Sequence, residues 1–447
     1  MTIHGMVYNP TWTTWTPGGA GQLSDEDFFN DSFQGLWDNG SDGTNTYRND
    51  LGTIVSGGFN LVRLFNWGPT RGWNGSSGTA HLKFLDYALS LGLKVIVPIS
   101  NYFLSDDTYA WATQDPDSKY SFTSAPSAIQ DALTHFLSSV TVVDPATKVG
   151  KIHPAVHSFA IGNEIDLNTF VGQGSSGAVG PSSRLARVIW WIVNLQGTIS
   201  SQKLGKVMLT SPISNGDQGG PGTTPPSYWF QAFVNGVTAG TTPLPQGTAV
   251  PPSDMTTTFG STWAGLCTLS WYTDWYYNSV NIYQTGTGLT ATLGQYDSWA
   301  TKLANNANWP GQQFTVPLLL TEIGSARPNN GTDGQNTQYA AVTLIAQTIE
   351  SYLTNNSSTH LMGYCIYEFS DEIFLGAEQQ FGLFMVEPTV TSEPNFPNGN
   401  VLYWEATGPT TVSWTTWPSV KYQVDQLFPV TSGNSTLVSA LKAIFSP

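Results

Sequence analysis

A single (β/α)8 barrel with enlarged loops is the fold this 447-residue sequence predicts, spanning residues 1–447. Three observations predict it. Eight short apolar, strand-like runs alternate with amphipathic segments. That alternation is the pattern of a parallel sheet wound by right-handed crossovers, and eight strands close into a barrel. Polar and charged side chains gather at the C-terminal ends of the runs, the rim on which a parallel barrel builds its sites. The glycine-rich fingerprint of a dinucleotide-binding sheet is missing after the first run, although an open doubly wound sheet remains the alternative topology.

Taken in order, "IHGMVY" (3–8) is the first strand, and a helix-like "TYRNDLGTIV" leads to "NLVRLF" (60–65) as the second. Leu82, Leu85 and Leu89 stand at helical spacing before the third strand, "KVIVPIS" (94–100). Ile129, Leu133, Phe136, Leu137 and Val140 form one face of the next helix, and "HSFAIGNE" (157–164) holds the fourth strand. "SRLARVIWWIVNLQGTIS" is a helix and "KVMLTSP" (206–212) the fifth strand. "NSVNIY" (278–283) is the sixth, followed by a helix over "YDSWATKLANNA" and the seventh strand in "TVPLLLTEIG" (315–324). "TQYAAVTLIAQTIESYL" has strong helical spacing, and "LMGYCIYEF" (361–369) is the eighth strand. The length exceeds the roughly 250 residues typical of such barrels. The surplus falls in insertions near 101–124, 164–181, 213–277 and 370–416.

Composition narrows the chemistry. A formal charge of −15 argues against a nucleic-acid partner or an anionic membrane surface. Charged residues are 11% of the chain, against about 25% in ordinary soluble domains. Ser, Thr, Asn, Gly and aromatics fill the difference, which suits either a surface that handles sugars or adaptation to secretion or acid. An extracellular monomer is the expectation. The start, "MTIHGMVYNP", lacks the basic and apolar runs of a signal peptide, so none existed or it has been removed. The two cysteines, Cys267 and Cys365, offer no disulfide framework, and Cys365 reads as a buried thiol. The six histidines form no cluster, so neither a metal site nor another cofactor is expected.

At the strand ends stand Tyr8, Arg63, Tyr102, Asn163, Glu164, Tyr283, Glu322 and Glu368. A buried apolar run does not ordinarily finish on a free charge, and two do so here, at Glu164 and Glu322. One glutamate at a strand end reads as a salt bridge or a helix cap. Two facing each other across a barrel mouth suit cleavage of a glycosidic bond, one carboxyl protonated and one ionised. A separation of roughly 5–5.5 Å would mean retention of configuration.

"IGNEID" and "LLLTEIG" resemble the strand-four and strand-seven motifs of clan A retaining glycoside hydrolases. "NSVNIYQTG" and "YEFSDEIFLGAEQQFGLF" are similar to the strand-six and strand-eight segments of the β-1,3-glucan-active families 17 and 72. The resemblance implies an oligo- or polysaccharide substrate, with Glu164 as acid/base, Glu322 as nucleophile and Asn163 on the sugar 2-hydroxyl. It also implies that Tyr283 and Arg63 lie beside the nucleophile. A transglycosylase on the same site and a non-catalytic carbohydrate-binding barrel are the competing readings. Trp67 leads the sugar-stacking candidates, ahead of Trp73, Trp111, Trp271, Trp275 and Trp404, each of which also reads as packing. Tyr8 and Tyr102 are candidate substrate contacts. Glu368 reads either as a ligand for a sugar hydroxyl or as a buttress. Asp371 and Glu372 could reach a distal subsite or bond loop backbone.

Overall fold

The computed structural model describes residues 2–9, 34–41, 47–65, 67, 78–101, 127–164, 181–214, 274–304, 317–371, 380–389, 400–406, 412–418 and 424–446. The parallel strands are β1 (Ile3–Val7), β2 (Leu61–Arg63), β3 (Lys94–Ile99), β4 (Val156–Ile161), β5 (Met208–Thr210 and Ile213–Ser214), β6 (Asn278–Asn281), β7 (Leu318–Ile323) and β8 (Leu361–Ile366). Between them run α1 (Asp50–Ser56), α2 (Gly78–Ser90), α3 (Ser127–Ser139), α4 (Pro181–Ser201), α5 (Gly286–Ala304) and α6 (Thr332–Asn355).

The sheet contains nine hydrogen-bonded segments, two of which are the halves of β5. The first half pairs with β4 and the second with β6, with Ser211-Pro212 between them. A parallel bridge from Leu209 to Tyr276 joins the ends, so eight strands close on themselves. Closure leaves no sheet edge and fixes the (β/α)8 topology.

Period-two alternation divides the core. Val7, Leu61, Ile96, Ala160 and Leu319 pack together as one cluster inside the barrel. Their neighbours Met6, Val62, Val97, Phe159 and Leu320 belong to the layer beneath the helices. Polar residues inside the barrel satisfy one another. Ser158 and Tyr277 share a hydroxyl hydrogen bond of 2.7 Å, and Thr210 and Ser279 one of 2.6 Å. Cys365 is the expected buried thiol, and burial pushes its pKa up to about 12.

Short antiparallel pairs, such as Phe384–Thr389 with Val424–Pro429, and two helices depart from the sequence reading. The fifth helix begins at Gly286, ten residues before Tyr296, where the expected segment starts. Gly286, Gly288 and Gly294 lower its propensity, yet buried Leu289, Leu293 and Tyr296 recur at helical spacing and hold it. The second is a C-terminal helix, α7 (Leu437–Phe445), which the strand count did not anticipate. Thr436 caps it, Leu437 and Leu441 are buried, and Phe445 stacks on His4 at 4.2 Å. That contact covers the N-terminal end of β1, away from the rim that carries the glutamates.

Candidate active site

Five of the residues singled out at strand ends meet in one network at the C-terminal rim. Arg63, the last residue of β2, is 1% exposed and projects across the barrel. Its Nη1 donates to Glu322 Oε1 at 2.6 Å and to the Thr321 carbonyl at 2.9 Å. Its Nη2 donates to Asn163 Oδ1 at 2.7 Å. The planar fork of a guanidinium is suited to holding two acceptors in fixed directions at once. Tyr283 donates its hydroxyl to the other carboxylate oxygen, Glu322 Oε2, at 2.6 Å. Glu322 is 4% exposed and receives a cation on one oxygen and a phenol on the other.

The backbone re-aims both glutamates. Leu320 pairs with Val280 on β6, and Glu322 pairs with the next residue, Asn281, so Thr321 is an extra residue in the ladder. Strict alternation would send Thr321 and Glu322 to opposite faces. The bulge lets Thr321 bond Asn281 at 2.9 Å while Glu322 reaches Arg63 inside the rim. On β4 the ladder ends at Ile161, and Gly162 turns the chain at φ 68°, a conformation glycine adopts without steric cost. Glu164 follows in the same left-handed region at φ 48°, uncommon for a residue with a side chain. Its amide donates to the Pro212 carbonyl at 2.8 Å, which ties the turn to β5.

Asn281 joins the two carboxylate clusters and is a site residue that sequence reasoning missed. Its Nδ2 donates to Asn163 Oδ1 and to Glu164 Oε1, each at 3.0 Å. The signal was present as the first residue of Asn281-Ile282-Tyr283, in which only the tyrosine was singled out. Asn101, one of the polar residues the sequence places at the strand ends, joins the network too. It clasps the Asn163 main chain, accepting from its N–H at 2.6 Å and donating to its carbonyl at 2.9 Å.

Tyr283 is 44% exposed as a residue, while its hydroxyl is turned inward to Glu322. Withdrawal of the hydroxyl from water, then the Glu322 charge, hold its pKa well above the ordinary 10, with Glu164 adding in the same direction. The phenol therefore stays protonated and remains a donor to Glu322.

Two expected substrate contacts are corrected. Tyr8 is fully buried, with its hydroxyl donated to Asp50 Oδ2 at 3.0 Å and its ring edge-on to Phe369 at 5.5 Å. Arg48 holds the same aspartate through Nε and Nη2, so Tyr8 belongs to the packing of α1 on β1. Trp67 is 3% exposed and donates its indole N–H to Ser139 at 2.9 Å, with Phe84 edge-on at 6.1 Å. It anchors α2 and α3 and offers no face to a ligand. Glu368 is 1% exposed just beyond β8, and its main chain bonds Phe381 and Leu383. Asp371 turns inward to Arg327 and to the Gly382 amide. Tyr102, Trp73, Trp111, Trp271, Glu372 and Cys267 lie outside the described residues.

No protein-family model matches the chain, and no curated protein matches it by sequence. Solved structures do. A beta-glucosidase from Exiguobacterium marinum aligns with a TM-score of 0.50 at 13% identity, covering 86% of this chain and 94% of that one. A beta-glucosidase from Thermotoga maritima in complex with noeuromycin aligns with a TM-score of 0.48 at 13% identity, covering 86% and 93%. The likeness is one of fold, the (β/α)8 barrel.

Proposed function

We propose that the chain is a retaining glycoside hydrolase acting on β-linked glucan. The observation that carries this reading is the saturation of Glu322, with Arg63 on Oε1 and Tyr283 on Oε2. The two donors hold both carboxylate oxygens in fixed directions, the positioning a nucleophile needs. Glu164 sits half-buried on the neighbouring side of the same network.

In the reaction, Glu322 attacks the anomeric carbon and Glu164 gives its proton to the departing glycosidic oxygen. A glycosyl ester on Glu322 results. Glu164, now ionised, takes a proton from water as that water attacks the same carbon, which releases Glu322 and returns the proton to Glu164. Asn163 has its Oδ1 occupied by Arg63 and Asn281, and in this reading its Nδ2 group donates to a sugar hydroxyl. Hydrogen bonds of this kind that strengthen at the transition state lower the barrier.

A β-1,3 linkage is favoured by the resemblance of the Asn281-Ile282-Tyr283 and Tyr367–Phe384 segments to families 17 and 72. The test is product analysis on β-1,3-, β-1,4- and β-1,6-glucans, with NMR of the first-formed anomer. Release of β-configured products from β-1,3-glucan is expected. Products longer than the substrate would identify a transglycosylase, α-configured first products would overturn retention, and binding without turnover would overturn the enzyme.

A further inference from the structure

Tyr283 lies two residues past the end of β6, where the strand ladder no longer holds it. Its ring is braced by two others. Phe381 stands edge-on to it at 5.6 Å and Tyr367 at 6.1 Å, and Phe381 and Tyr367 touch each other at 5.2 Å. Such edge-to-face packing fixes ring orientation as well as burying area.

Phe381 belongs to a segment gripped from below by buried polar side chains. Arg327, 2% exposed, pairs with Asp371, 3% exposed, and donates Nη1 to the Gly382 carbonyl at 3.1 Å. Gln338 on α6 is fully buried and donates Nε2 to the Phe381 carbonyl at 2.9 Å. Asp371 accepts from the Gly382 amide at 3.0 Å. A Cβ at Gly382 would collide with the Asp371 main-chain nitrogen, so only glycine permits this approach. Main-chain groups of consecutive residues are thereby held to α6 and to the β7 and β8 ends. The ring of Phe381 is left facing Tyr283.

We propose that Phe381 is a positioning residue, which keeps the Tyr283 hydroxyl on Glu322, and that the Arg327–Asp371–Gln338 clamp exists to hold Phe381. The proposal rests on the reading of Glu322 as nucleophile. Phe381 touches no reacting atom and acts through Tyr283, so its effect must vanish when the hydroxyl is gone.

The test uses Phe381→Leu, Phe381→Tyr, Tyr283→Phe and the Phe381→Leu/Tyr283→Phe double variant, assayed on β-1,3-glucan oligosaccharides. Phe381→Leu keeps apolar bulk and is expected to lower kcat about tenfold to a hundredfold, with KM within about twofold and little change in Tm. Phe381→Tyr, which keeps the ring, is expected to recover most of that loss. The double variant is expected to be no slower than Tyr283→Phe alone, because coupled residues are not additive. Multiplying losses, or a Phe381→Leu enzyme with full kcat, would overturn the proposal. A crystal structure of Phe381→Leu supplies a readout without substrate. Loss of the Tyr283–Glu322 hydrogen bond, 2.6 Å in the native chain, supports the proposal, and an unchanged contact overturns it. Glu322→Gln in the same assay separates the two readings: its full activity would remove the nucleophile, whereas an inactive Glu322→Gln beside a normal Phe381→Leu removes only the role of Phe381.

Discussion

Arg63 donates to Glu322 at 2.6 Å with the two side chains only 1% and 5% exposed. A pair this deeply withdrawn from water gives little net stability as a pair, but removing either partner strands a buried charge. Arg63→Met is therefore expected to cost about 3–5 kcal/mol, read by chemical denaturation. Arg63→Lys keeps the charge but loses the fork that also holds Asn163. It is expected to fold and to lose about two orders of magnitude in kcat, the scale seen when one aligned donor is removed. An unfolded Arg63→Lys chain, or one with native kcat, would contradict this account.

Glu322→Gln keeps an acceptor for Arg63 and removes the attacking charge. Turnover should drop by several orders of magnitude while circular dichroism shows a native fold. Near-native turnover in a folded variant would remove Glu322 from the chemistry.

Glu164 and Glu322 differ in what can replace them. Glu164→Ala should be slow on natural glucan yet accept substrates whose leaving groups need no proton. Added azide should then attack the glycosyl-enzyme and release a β-glycosyl azide. Glu322→Ala with azide should give the α-azide, since attack comes directly from the vacated face. Exchange of the two anomers would reverse the acid/base and nucleophile assignments.

His157, at the N-terminal end of β4, has its pKa lowered to about 4, first by burial and then by Lys94. In the unfolded chain it titrates near 6.5. Between those values the unfolded state binds the extra proton, so stability falls as pH drops from about 6.5 toward about 4. Its contribution is fully present above 6.5. His157→Gln should flatten this part of the profile of unfolding midpoint against pH, leaving the Glu164–Glu322 rim untouched. An unaltered slope would show that other groups carry it.

Much of the site was legible because a barrel strand that runs apolar and then stops on a polar side chain marks where buried sheet meets the rim. Glu164 and Glu322 stand out on that ground, as do Arg63, Asn163 and Tyr283. Asn281 did not, because a neutral amide within Asn278–Asn281 looks like any strand residue until its two partners are in view. Tyr8 and Trp67 stand at strand ends just as the residues of the rim network do. Their burial depends on Asp50, Ser139 and Phe84, which other parts of the chain supply.

The amino-acid sequence by itself determined the eight strands, their alternation with helices and the end of the barrel on which the carboxylates fall. Those properties follow from local periodicity and from where apolar runs stop. Tertiary structure alone decided that Arg63 meets a carboxylate 259 positions away and that Asn281 spans 117 positions to reach Glu164. It also decided that the Thr321 bulge turns Glu322 inward, a face that period-two alternation along β7 would have denied it. Register between distant strands sets these contacts, and register is a property of the closed barrel rather than of any one strand.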